Sequence, residues 1–223
     1  MRKVVKVLII IFIVLIIKWL VTYSLNELII SNYHNEKYNN KLINVLYPLT
    51  LNSSYVVYYN DGNINYKLKN YDKAIDKYNK ALKKHPSKKR VCDIRINLSL
   101  SMLAKINIKE RDKIIEQLRS ARYVLYEDEC VDPNYENSKS VDAENLEKEI
   151  KKLEEQLQNQ NNNQQNNDDN QDNNNNNEEE NDPDEEIENQ LKENEQKANE
   201  SRQEELNRDQ NLGGYDYYHG KRW

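Results

Sequence analysis

Residues 57–86, VYYNDGNINYKLKNYDKAIDKYNKALKKHP, decide the fold. The spacing predicts two amphipathic helices with a tight turn at Lys69-Asn70 and a stop at Pro86. Small residues fall where the helices must touch: Gly62 on the first, Ala74 and Ala81 on the second. Large side chains fill the gaps between them: Tyr58, Leu68, Tyr71, Ile75, Tyr78 and Leu82. Small residues at a crossing let two helices approach closely, and aromatics interlock around them. Such a unit cannot bury its apolar face alone. It is expected to stack on neighbours and leave a concave surface for a partner, which is binding architecture and argues against catalysis.

The stretch resembles a tetratricopeptide repeat. That family's pattern runs from an aromatic through Leu-Gly and a second aromatic to Ala-x3-aromatic and a closing Pro. Tyr58, Gly62, Ala74, Tyr78, Ala81 and Pro86 hold those positions, with Tyr71 as the turn aromatic. Two positions depart from it. Asp61 stands where Leu is usual, and Asn65 stands where Tyr is usual, with Tyr66 one residue late.

A looser second repeat follows. Ile94, Ile96, Leu98, Leu100 and Leu103 predict one helix, Asn107 a turn, and Ile114, Ile115, Leu118, Ala121, Val124 and Leu125 the next. Ala121 takes the crossing role of Ala81 and Leu118 that of Tyr78, while Ser99 stands where the Gly would be. About three repeats are needed for a stable stack, so further helices are expected to cap this one. One candidate ends near Tyr47 and carries Leu42, Ile43 and Leu46. The other spans 140–158, where Leu146, Ile150, Leu153 and Leu157 form a single stripe. That stripe serves either as a cap or as a short coiled coil between chains.

Residues Val4–Tyr23 are nearly all apolar. At about 1.5 Å per residue such a helix spans a bilayer core of about 30 Å. Its run Val7–Ile17 is unbroken, and Arg2, Lys3 and Lys6 precede that run, which predicts a cytoplasmic N-terminus with the rest of the chain outside the membrane. A cleaved signal peptide shares the basic start and the apolar run. Its cleavage needs small residues, yet no alanine occurs before Ala74 and no cysteine before Cys92. The expectation is therefore an uncleaved single-pass anchor.

Cys92 and Cys130 are the two cysteines. One precedes the third repeat helix's core and the other follows the fourth helix. An antiparallel hairpin brings such ends together, and in an exported domain a disulfide persists. Closing this loop contributes on the order of 3–4 kcal/mol in the chain-entropy model.

Composition changes at Gln158. Residues 159–183 are an Asn, Gln and Asp tract turning acidic, read as a disordered linker because so few apolar side chains cannot offset the entropy of ordering. Residues 184–210 read as a solvated charged helix, with Ile187, Leu191, Ala198 and Leu206 as their apolar members. The terminal 211–223 ends in an aromatic, basic tip that suits a docking peptide. The net charge of −5 hides a basic middle and an acidic tail.

The fold class is therefore all-α: an anchor at 1–24, a juxtamembrane helix or linker at 25–51, repeats at 52–131, the capping helix, and the tail. His34, His85 and His219 are scattered, and the four glycines form no phosphate loop, so neither catalysis nor a cofactor nor a metal is expected. Nucleic acid and small-molecule substrates are likewise not expected, and the partner is another protein or peptide, a membrane protein among the options. Asn60, Asn63, Lys67, Arg95 and Asn97 are the polar candidates for gripping it from the first helix of each repeat. A structural spacer whose aromatic tail does the docking is the alternative. The layout is similar to small membrane-anchored tetratricopeptide proteins of Gram-positive bacteria. Some of these accompany von Willebrand A-type membrane proteins and a MoxR-type ATPase in aerotolerance-like systems. That resemblance implies a role in assembling or regulating a membrane complex.

Overall fold

The apolar N-terminal run belongs to a helix that continues well beyond it. α1 (Arg2–His34) has 33 residues, about 50 Å at 1.5 Å per residue, and no Pro or Gly interrupts it. The computed structural model describes residues 2–50, 54–108, 110–167, 187–193, 196–197 and 200. Every regular element among them is helical. The chain divides into two compact units, the first running through Pro86 and the second starting at Ser87.

In the first unit, the apolar part of α1 is exposed from Val4 to Val21, whereas Ile29 and Ile30 near its end are buried. They lie where α1 packs on α2 (Lys41–Leu49), whose Ile43 and Leu46 are also buried. α2 packs in turn on α3 (Tyr55–Lys67), and α3 pairs with α4 (Tyr71–Leu82). The Ser54 side chain caps α3 by accepting from the Val56 N–H at 3.3 Å. The α3–α4 turn passes through Lys69 at φ 59°, closed by Asn70 N–H to Asn65 C=O at 2.8 Å. Past the end of α4, His85 takes φ 51° and Pro86 follows, so the helix cannot continue.

In the second unit, α5 (Lys88–Ala104) pairs with α6 (Arg111–Tyr126), and α7 (Val141–Asn167) packs on both. A 3-10 turn, Glu127–Glu129, follows α6 and carries left-handed φ at Asp128 and Glu129. Cys92 and Cys130 are joined by a disulfide with Cα atoms 5.3 Å apart, tying the start of α5 to the chain just beyond α6. Leu146, Ile150, Leu153 and Leu157 of α7 are all buried within this chain. The helix runs on past Leu157 to Asn167, so the Asn/Gln tract begins in helical form. Gln extends an existing helix at little cost, and only nucleation is expensive. Residues 187–193 are also helical and are labelled α8. The aromatic tail at 211–223 and most of the linker lie outside the described residues.

Candidate protein-interaction site

The α3–α4 pair is built around one contact. Gly62 faces the Tyr78 ring, which is 1% exposed and fixed from two sides. The Tyr78 hydroxyl donates to Asn63 Oδ1 at 2.8 Å, and the ring tilts against Tyr59 with centroids 6.0 Å apart. Ala74 and Ala81 are fully buried beside it. Tyr71 meets Tyr66 edge-on across the turn, at 5.8 Å. Tyr58 is half-buried against Tyr47 of α2, at 5.3 Å, and Pro86 is half-buried at the close of the unit.

The two departures from the repeat pattern have a shared purpose. Asp61 is 2% exposed, and its Oδ2 accepts from the Tyr47 hydroxyl at 2.6 Å and pairs with Lys77 Nζ at 2.7 Å. Its Oδ1 accepts from Asn65 Nδ2 at 2.8 Å, and Asn65 Oδ1 accepts from Asn40 Nδ2 at 3.2 Å. Lys77 Nζ also donates to the Tyr47 oxygen at 3.1 Å. The usual Leu and Tyr would offer apolar packing here. Asp61 and Asn65 instead make a polar seam that holds α2 and its N-terminal flank to both helices of the repeat. Burial, then the hydrogen bond to Asp61, raises the Tyr47 hydroxyl far above the usual tyrosine range.

The five residues expected to grip a partner fall into two groups. Asn60 and Asn63 are buried in α3, and Asn63 is the acceptor for Tyr78. Arg95 is 8% exposed and bound within its own unit: Nη1 pairs with Glu127 at 2.6 Å, and Nε donates to Asp128 at 2.8 Å. Asn97 is half-buried, and its backbone C=O accepts from the Ser101 hydroxyl at 2.8 Å. Lys67, at the end of α3, is exposed. The neighbouring Lys69, Lys73, Lys83 and Lys84 are exposed as well.

The second pair closes its crossing differently. Ser99 is fully buried and its hydroxyl donates to the Ala121 carbonyl at 2.9 Å, with Ala121 and Leu118 both buried. A serine that bonds the opposing backbone keeps the approach close where the first pair uses glycine.

A further polar cluster locks α7 to α6, and nothing in the sequence spacing announced it. Glu147 is fully buried and accepts from the hydroxyls of Tyr126 and, at 2.6 Å, Tyr135. One helical turn pair later, Glu154 accepts from Arg119 Nη2 at 2.8 Å, and Arg122 lies between the two carboxylates, 3.7 Å from Glu147 and 3.3 Å from Glu154. The hydrogen bond to Glu147, with burial second, pushes Tyr135 up to about 12. Burial comes first for Tyr126, which is also raised. Among the described residues no group of His, Cys, Asp and Glu is arranged to hold a metal.

Residues 55–88 match the tetratricopeptide repeat family, which coincides with the α3–α4 pair and the chain that closes it. No curated protein and no solved structure matches the chain. The tetratricopeptide repeat is a protein–protein interaction module, a scaffold rather than a catalytic framework.

Proposed function

We propose that the chain is a single-pass membrane protein whose helical units stand outside the cytoplasm and hold another protein at the membrane surface, without catalysis of their own. The observation that carries this reading is the match of residues 55–88 to an interaction repeat, within a unit that opens with a long apolar helix. Within that helix, Arg2–Tyr33, an 18-residue window has a mean hydropathy of 3.0, and none of that window is buried. A signal sequence can be as apolar as this helix. The packing of Ile29 and Ile30 on α2 favours a retained helix, because cleavage would remove the chain that leads into this contact. The Cys92–Cys130 disulfide supports an oxidising compartment, and the basic residues before the helix support a cytoplasmic N-terminus.

The partner segment is acidic on this reading. Asn60 and Asn63 shape the repeat from within, while exposed Lys67, with Lys69 and Lys73, supplies charge to an acidic peptide. Arg95 and Asn97 stay with the second unit's internal bonding. The role extends to assembly or regulation of a membrane complex. The deciding experiment places a photo-crosslinking residue at Lys67 in the membrane-bound protein and another at Glu155, on α7, as control. Capture of one acidic partner from Lys67 alone, lost on Lys69→Glu with Lys73→Glu, supports the reading. Equal capture from both positions overturns it. Protease added to intact cells must also reach the helical units.

A further inference from the structure

The helices of the first unit reverse direction one after another. The connection between α1 and α2, residues 35–40, is short and opens with a reversal: Glu36 takes φ 57°, and Lys37 N–H bonds Asn32 C=O at 2.8 Å. Two packed helices joined so briefly run antiparallel. Asn40, at the head of α2, reaches Asn65 near the end of α3, and Tyr47, near the end of α2, meets Tyr58 in the first half of α3. Tyr71 at the start of α4 meets Tyr66, whereas Tyr78 reaches back to Asn63. α2 therefore runs back toward the apolar part of α1, α3 away from it, and α4 back again. Lys67 and Lys69 stand at the far end of the unit, and Lys83 and Lys84, just past α4, at the near end. All four are exposed.

The near end comes down to the height of the lipid headgroups. From Tyr23 to His34, α1 rises about 16 Å, and the return along α2 takes up about 14 Å of that. Lys77 Nζ meets the Tyr47 hydroxyl at 3.1 Å, which sets the middle of α4 level with the end of α2. Lys83 and Lys84 lie about 9–10 Å further along the same descent. A headgroup layer occupies about 5–8 Å beyond the hydrocarbon core. Lys80 is held by Asp76 at 2.7 Å, but Lys83 and Lys84 have no ion-pair partner among the described residues.

We propose that Lys83 and Lys84 form a foot that binds the phosphates of anionic lipid headgroups beside the anchor. This rests on the membrane-spanning role proposed for α1 and adds a second attachment to it. Lysine offers phosphate a compact point charge with three donors. Its attraction to an anionic surface fades within a Debye length of about 8–10 Å, so height decides which lysines take part. α3 puts about 20 Å between the two ends of the unit. Lys67 and Lys69 thus lie beyond the reach of the lipid and stay available to an acidic peptide.

The test uses the full-length protein in lipid nanodiscs, made of phosphatidylcholine alone or of phosphatidylcholine and phosphatidylglycerol in equal parts. A trace of an amine-acylating reagent is added, and the rate at each lysine is read by mass spectrometry. Lys83 and Lys84 are expected to react about fivefold more slowly in the phosphatidylglycerol discs, and about 0.5 M salt is expected to remove the difference. Lys67 and Lys69 should react alike in both. Equal rates at Lys83 and Lys84 in the two kinds of disc overturn the foot and leave the anchor standing. Slowing at all four lysines also overturns it, since the two ends are then alike. A chain that does not elute with the discs overturns the membrane reading and the foot together.

Discussion

Gly62 lies so close beneath Tyr78 that a Cβ at residue 62 would stand 2.5 Å from Cε1 and 2.7 Å from Cδ1 of the ring. The ring cannot step aside, because its hydroxyl is bonded to Asn63 and its other face meets Tyr59. Gly62→Ala gains about 1 kcal/mol of helix propensity. Overpacking costs about 1–3 kcal/mol and wins. Thermal unfolding followed by circular dichroism is expected to show a lower Tm. The alanine should cost less in a Tyr78→Leu background, where the ring is gone; an equal cost in both backgrounds would contradict this account.

Restoring the family's leucine at residue 61 is expected to harm this protein. Asp61→Leu removes the acceptor for the Tyr47 hydroxyl and the partner of Lys77. Leaving such groups without their acceptor costs about 1–3 kcal/mol, since Lys77 retains some contact with water. Hydrogen exchange should accelerate in α2 before it does in α4. Asp61→Asn, which keeps an acceptor, should have a smaller effect. Unchanged protection of α2 in the leucine variant would remove the polar seam as its anchor.

The disulfide closes a loop across a sequence separation of 38 residues. Cys92→Ala with Cys130→Ala is expected to destabilise the second unit by about 4 kcal/mol in the chain-entropy model. Melts with and without reductant measure this directly. Alkylation in intact cells, with the mass read before and after reduction, checks the compartment. A chain fully alkylated without reductant would place these cysteines in a reducing environment.

Alkaline titration should separate the tyrosines. Tyr135 is held up to about 12 by its hydrogen bond to Glu147, and Tyr126 and Tyr47 are also raised. A folded pKa above the unfolded one means stability that is complete below the ordinary tyrosine value of about 10. It is lost as pH rises through about 12. Tyr135, Tyr126 and Tyr47 should ionise late and together with loss of helix. Absorbance at 295 nm and circular dichroism followed together give the answer. A single early step without helix loss would exclude the Glu147 cluster as a support of α7.

The first repeat was legible because its instructions are local. Gly62, Ala74, Ala81 and Pro86 fall at intervals that only a close helix pair explains, and the stripe on α7 is a plain 3.6-residue pattern. The partner candidates were harder to read. α3 is buried round most of its circumference, so Asn60 and Asn63 follow no polar face, and periodicity cannot tell an inward asparagine from an outward one. Arg95 finds Glu127 and Asp128 across more than thirty residues, a pairing set by the hairpin and invisible to spacing. Asp61 and Asn65 read as departures because a family pattern lists what is usual. It does not carry the neighbour, here α2, that makes the unusual residue necessary.

The absence of any Pro or Gly in α1 bears on how a load would travel. With residues Val4–Tyr23 in a bilayer, the same rod that crosses the lipid enters the globular part and is clasped there by α2, with no swivel between. A tug on the end that bears Lys67 would therefore become a tilt of the shaft inside the membrane, and a tilt imposed from within would re-aim that end. An attachment of this kind behaves as a lever, not as a leash.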